Sequence, residues 1–279
     1  MAVIVAQTMA HTGRVKRDVS ASLTFDVIDG TEVALLFAVS AAPIEQETLQ
    51  VTVGDQEVPV EETRDRFGNR MHLLKDLPQG TVRLQYEATG VGRAEPPTVE
   101  PTDAASHLRP SRYCEVDEFT KVAAEVVGDR TGIDAVQAVV AWVHQHLDYV
   151  PGSSTITDSA RTTYMARQGV CRDYAHLTST LLRASGVPSR CVAAYAPGLS
   201  PMDFHLAVEA LVDEEWVVVD ATHLAPRESM VRIATGQDAA DTAFMTTLAG
   251  SVKLTGIRVN AVANPELPAE DWEQTVQLR

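Results

Sequence analysis

Three cysteines are scattered through this chain, and one of them, Cys171, stands where a thiol becomes a nucleophile. It lies in GVCRDYAHL, residues 169–177, at the head of a stretch in which Tyr174, Leu177, Leu181 and Ala184 recur at helical spacing. Gly186 and Pro188 end the predicted helix. Unpaired N–H groups and the positive dipole end at a helix N-terminus favour thiolate over thiol. The backbone N–H of Cys171 is also directed toward the anion that forms when a thiolate adds to a carbonyl.

A thiol nucleophile works with a base, and the base with a group that orients it. Residues 203–212, DFHLAVEALV, alternate like a half-buried strand, with Phe204, Leu206 and Val208 on one face and His205 and Ala207 on the other. Residues 215–220, EWVVVD, read as a second strand, and Asp213-Glu214 as the turn between them. A two-residue turn at 213–214 sets His205 opposite residue 222 with Asp220 as its diagonal neighbour; centred one residue earlier, it sets Asp220 directly opposite. Either register brings imidazole and carboxylate together, whereas a three-residue turn would put them on opposite faces.

The other histidines and cysteines sort by position. His176 lies five residues after Cys171, about 140° around a helix, so it is expected to point away from the thiol as a core group. His223 falls on the far face of the strand carrying Asp220, and His144 and His146, two apart on a helix, cannot share a face. No metal motif is present, so neither a metal nor another cofactor is expected. Cys114 and Cys191 are expected to be structural, and Asp173 to serve the start of the helix. For a second oxyanion donor, Gln168, Tyr149 and Tyr164 stay open. Arg232, Gln237 and Asp238 either line the cleft or open a short helix with Asp238 as its cap.

The elements that must position these groups follow from the rest of the chain. The first hundred residues are written in short strands: 23–27, 32–39, 48–53 and 56–60 about a Gly54-Asp55 turn, 69–74 and 81–88. A proline-rich stretch, residues 91–101, marks a boundary. Helices follow at 117–127, with Asp117 as cap and Gly128 as stop, and from Asp134 to about Leu147, with Val136, Val139, Val140, Val143 and Leu147 inward. Strands at 190–196, 204–212, 215–221 and 251–262 come after the helix of Cys171.

Taken in order, GVCRDYAHL, the helix end GVPSR, then AYAPG, DFH and WVVVDATHLAP resemble the motifs of the transglutaminase-like superfamily over residues 107–250. Within it, the chain is most similar to the bacterial transglutaminase-like cysteine peptidase group with an N-terminal β domain. The resemblance implies that Cys171 is the nucleophile, His205 the general base and Asp220 the residue orienting His205. The chain departs from many relatives in carrying Leu206-Ala207-Val208 where they have an aromatic soon after the histidine.

The expected fold is therefore α+β: an N-terminal antiparallel β-sandwich (residues 1–100), a linker (101–108), a papain-like or transglutaminase-like domain with a helical lobe packed on an antiparallel sheet (109–264), and an acidic C-terminal tail on the surface (265–279). The expected activity is thiol acyl transfer on amide or peptide bonds through a thioester, in a cysteine peptidase or amidase with a protein or peptide substrate. A transglutaminase and a non-catalytic binding module are the alternatives. A net charge of −15, spread over both halves, and the lack of any long Lys/Arg run argue against a nucleic-acid partner. No stretch approaches the roughly 20 apolar residues of a membrane helix, so no membrane partner is expected. An odd, sparse set of cysteines without CxxC spacing fits a reducing cytoplasm, and residues 1–6 lack the charged start and full apolar core of a signal peptide.

Overall fold

The computed structural model describes residues 15–279. The residues read for leader character lie outside this range. Strand β1 (Lys16–Leu35) carries the N-terminal half, burying Val19, Ala21, Leu23, Phe25 and Val27 at every second position. The two short strands expected at 23–27 and 32–39 are thus largely one element. Its pairing is irregular around Thr24–Phe25 and again between Val27 and Val33, and such bulges bend a strand. After it come β2 (Ile44–Val53), the short β3 (Gln56–Glu57) and β4 (Glu61–Arg64), β5 (Arg70–Leu77) and β6 (Gly80–Val91). All pair antiparallel in one curled sheet, in the order β3-β2-β6-β1-β5-β4. The first part of β1 pairs with β6 and its end with β5.

The second half opens with α1 (Asp103–Ser106), α2 (Thr120–Val127) and α3 (Gly132–His146). Asp117 lies in a short 3-10 turn ahead of α2, and Asp134 in the first turn of α3 rather than at its cap; Gly128, at φ 60°, ends α2 as expected. Next are β7 (Asp148–Tyr149), α4 (Ala160–Ala166), β8 (Gln168–Gly169) and the long α5 (Cys171–Ala184). Strands β9 (Ser189–Tyr195), β10 (Phe204–Val212), β11 (Glu215–Val219) and β12 (Val231–Gly236) form an antiparallel sheet in the order β11-β10-β9-β12. β12 was not anticipated as a strand. A short α6 (Ala239–Thr242) leads into β13 (Met245–Asn264). Asp238 caps α6 by accepting from the Ala240 N–H at 2.8 Å, one of the two alternatives weighed for it. None of the described helices is long and apolar enough to cross a membrane.

Two expectations are corrected here. The strand expected at 251–262 was grouped with the second domain; β13 instead pairs with β1 along nearly its whole length, from Lys16 opposite Asn264 to Leu35 opposite Met245. The residues grouped as a surface tail, 265–279, dock on the second sheet. Val276 and Leu278 are buried with Val192, Ala194, Ala207 and Val218, and the Val218 N–H donates to the Val276 carbonyl at 2.8 Å. Two apolar residues at strand spacing bury the end of this segment against the sheet.

One hydrophobic core runs from the curled sheet through α2, α3 and α5 to one face of the second sheet. Polar bonds tie the halves together as well. The Tyr195 hydroxyl donates to the Phe37 carbonyl at 2.8 Å, Asn69 pairs with both the N–H and the carbonyl of Thr235, and Arg17 reaches the carbonyls of Glu228 and Ser229.

Candidate active site

Cys171 is the first residue of α5, and the geometry just before it explains why the helix begins there. Val170, in extended backbone, is the cap position, and its N–H is taken by the Asp173 carboxylate at 2.7 Å. The second Asp173 oxygen accepts from the Ser154 hydroxyl at 2.9 Å. Asp173 thus reaches back over the first turn as a capping residue does. Gly169 makes room for it: a Cβ there would lie 2.5 Å from the Cβ of Asp173. The glycine at 169 and the aspartate at 173 are therefore one device, and Asp173 has the structural role expected of it. Cys171 itself is half-buried.

The hairpin that carries the base closes with two residues in left-handed backbone, Asp213 at φ 50° and Glu214 at φ 63°. Two positive φ angles in succession are what a two-residue turn matched to strand twist requires. Val212 faces Glu215, and the register continues to Val208 opposite Val219. Extended by three more pairs, it sets His205 opposite residue 222 with Asp220 as its diagonal neighbour, the first of the two registers considered.

The side chains meet accordingly. His205 Nε2 lies 2.8 Å from Asp220 Oδ2, with the imidazole and the carboxylate both almost fully buried. A carboxylate only accepts, so Nε2 carries the donated proton. The other Asp220 oxygen accepts from the Thr222 N–H at 3.0 Å and the Thr222 hydroxyl at 2.8 Å. Burial pushes the Asp220 carboxyl up, but the charge of His205 and these donors hold it below its ordinary value. Burial likewise pushes the His205 ring down, and the Asp220 carboxylate and the Cys171 sulfur more than reverse this, to about 10. His205 Nδ1 is buried without a regular hydrogen-bond partner. The structure thus pairs His205 with Asp220, and the Cys171 sulfur acts on the same ring.

The remaining candidates lie elsewhere. His176 is fully buried, accepts from the Ala239 N–H at 3.1 Å and stacks on Tyr113; burial pushes it down to about 3. Cys114 and Cys191 are buried and free, and burial pushes both thiols up. His223, in left-handed backbone at φ 57°, is stacked between His144 and Trp272, each at 4.0 Å. Arg232 is buried against Glu209 rather than lining a cleft beside Cys171. Among the described residues, no three His, Cys, Asp or Glu side chains gather as metal ligands.

Two contributors escaped the sequence reading. Thr222 holds Asp220, and its signal was the threonine two residues after the aspartate, a spacing that favours a local side-chain turn. The other is the docked C-terminal segment, which covers the turn behind Asp220. Arg227 gathers it by donating to the Glu270 carboxylate and to the carbonyls of Asp271 and Gln274.

Comparisons with known proteins bear on the family and the fold. Residues 120–221 match the model of the transglutaminase-like superfamily. Among solved structures, a candidate cysteine protease from Cytophaga hutchinsonii superposes with a TM-score of 0.86 at 30% identity, covering 96% of each chain. An uncharacterized protein of Mycobacterium leprae is 39% identical over 93 residues, 32% of this chain and 32% of its own. An uncharacterized protein of Mycobacterium tuberculosis is 26% identical over 91 residues, 33% of this chain and 26% of its own. The chain thus spans under a third of the length of the curated relatives it matches. Together these matches support a thiol-based enzyme in general terms.

Proposed function

This chain belongs to the transglutaminase-like superfamily, and we propose that it acts as a thiol acyl-transfer enzyme, a cysteine peptidase or amidase working on a protein or peptide substrate. One arrangement supports the proposal above all. A buried imidazole is fixed through Nε2 by Asp220, its Nδ1 is left without a regular partner, and the Cys171 sulfur is close enough to raise its pKa. A binding module that only kept the fold has no use for such a nitrogen.

The chemistry follows from which nitrogen is free. With Nε2 committed to Asp220, Nδ1 takes the thiol proton, giving thiolate and imidazolium. The thiolate adds to the amide carbon, a C–S bond forms and the carbonyl π pair moves to oxygen, where the Cys171 N–H meets it. Collapse restores the carbonyl and breaks the C–N bond, and the amine leaves with the Nδ1 proton. Water, deprotonated by the now neutral ring, then adds to the thioester; collapse expels the thiolate and releases the acid. An amine in place of water gives a new amide, the transglutaminase outcome. Every proton in this scheme moves through His205. All three cysteines are free, which suits the reducing cytoplasm proposed as the site of action.

Iodoacetamide alkylation of each cysteine, followed by mass spectrometry against pH, tests the proposal. Cys171 is expected to react at pH 6 while the buried Cys114 and Cys191 do not, and His205→Ala is expected to slow Cys171 at least tenfold. Uniform reactivity, or a Cys171 indifferent to His205, would overturn it in favour of a binding module.

A further inference from the structure

Acyl transfer through Cys171 leaves the oxyanion with one assigned donor, the Cys171 N–H, and Gln168, Tyr149 and Tyr164 were open for a second. Gln168 is exposed in β8. Tyr164 is engaged elsewhere, edge-on to Phe119, stacked toward Trp142 and lying under the Arg167 guanidinium. Tyr149 has the position. It ends β7, which pairs in parallel with β8, so that Tyr149 stands opposite Gly169, two residues before Cys171. Backbone bonds on either side of it, from the Asp148 N–H to the Arg167 carbonyl at 2.9 Å and from the Val150 N–H to the Gly169 carbonyl at 3.0 Å, lock that register. The neighbouring Tyr174 ring, at 5.9 Å, limits where the Tyr149 ring can lie.

We propose that the Tyr149 hydroxyl is the second oxyanion donor, a catalytic residue that acts with the Cys171 N–H on the acyl oxygen. The assignment rests on the thiol-enzyme reading above.

Two properties of the hydroxyl fit that role. It has a proton to give: the O–H groups of Tyr86, Tyr113, Tyr174 and Tyr195 are spent on Glu47, Ile156, Leu147 and Phe37. Tyr149 has no such fixed acceptor among the described residues. It also keeps that proton. Burial, the Cys171 sulfur and the Asp203 and Asp220 carboxylates raise its pKa to about 12, against the opposing pull of the Cys171 backbone N–H. Tyr149, opposite Gly169 and with its ring beside that of Tyr174, lies against the first turn of α5. An acyl oxygen held there takes one bond from the Cys171 N–H and one from the Tyr149 O–H as negative charge develops on it. When the thiolate adds, the C–S bond forms, the carbonyl pair moves to oxygen and both donors shorten onto it; on collapse the pair returns and both bonds relax. Neither donor transfers its proton.

Two probes separate this role from the thiolate itself. Iodoacetamide reads the thiolate by displacement at an sp³ carbon, with no oxyanion. p-Nitrophenyl acetate reads acylation, and its phenolate leaves without a proton from His205. In Tyr149→Phe, the ring and its packing stay and only the donor is lost. The expected result is Cys171 alkylation within twofold of wild type at pH 7, an acylation burst slowed ten- to a hundredfold, an unchanged unfolding midpoint, and Tyr164→Phe like wild type in both rates. An unchanged burst overturns Tyr149 while leaving the thiol nucleophile intact. So does an equal fall in both rates, which would tie Tyr149 to the thiolate pair instead, or a fast-alkylating wild type with no burst. A wild type whose Cys171 is not selectively alkylated removes the thiol-enzyme reading itself, and Tyr149 with it.

Discussion

His205 and Glu209 stand four residues apart on β10, each buried and each facing opposite charge, yet only one of the two groupings can give up a proton. Glu209 accepts from Arg190 Nε at 2.8 Å and from both terminal nitrogens of Arg232. Burial pushes its carboxyl up, and the two guanidiniums overcome this and hold it at about 2. Arg190 also lies 3.9 Å over the Trp216 ring. Guanidinium does not shed its proton in proteins, so this grouping keeps its charges and ties β9, β10 and β12 together. In the other grouping the cation is an imidazole, whose charge depends on one proton that the proposed mechanism exchanges with the Cys171 thiol. In the proposed mechanism the same strand thus uses buried charge twice, once as a fastener and once as a proton carrier, and the difference lies in the basicity of the cation.

The largest expected effect separates fastener from carrier. Glu209→Gln leaves two guanidiniums buried against a neutral amide, and breaking a buried pair in this way costs about 3–5 kcal/mol. Urea unfolding should show that loss, while Cys171 in the still-folded variant keeps its alkylation advantage at pH 6. A loss under about 1 kcal/mol would mean that Glu209 is not a fastener.

Next in size is a pH dependence with opposite limbs. His205 is raised from 6.5 to about 10, so its contribution is complete below pH 6.5 and is lost as pH rises through about 10. Glu209 is lowered from 4.5 to about 2, so its contribution is complete above pH 4.5 and is lost as pH falls through about 2. His205→Gln should therefore flatten the alkaline limb of unfolding free energy, by on the order of a few kcal/mol relative to wild type, and leave the acid limb of Glu209. Parallel alkaline limbs in the two proteins would show that His205 is not held as a cation.

The smallest effect probes the far side of the carrier. Trp272→Ala removes the ring stacked on His223, three residues past Asp220, at an expected cost of about 1 kcal/mol in unfolding free energy. Cys171 alkylation should slow no more than threefold, because Thr222 still holds Asp220. A loss as large as that of Glu209→Gln would mean that the C-terminal segment, rather than Thr222, positions the carboxylate.

The site was legible where its determinants are local. A two-residue turn, a strand alternation and a glycine four residues before an aspartate each act within ten residues, so His205, Asp220 and the start of α5 follow from short-range pattern. The fastener was hidden because a glutamate in a strand reads as a solvent-facing residue until its two arginines, on other strands, are seen. β12 was hidden because VRIATG carries an arginine in a short apolar run and is buried on both faces, which removes the alternation that marks a strand. β13 kept its partner hidden for another reason: most of its side chains are exposed, and pairing with β1 is a backbone matter that side-chain pattern does not record.

That pairing also orders events during synthesis. β1 is made before the helical lobe and second sheet and β13 after them, so one full edge of the first strand waits, unpaired, while both are made. An open strand edge is a template for any other extended chain, and such a nascent protein is most exposed to misassembly before Met245 emerges. The same closure then ties both ends of the helical lobe and second sheet to one sheet, so they are held like an insert between two seams rather than hung from a single tether.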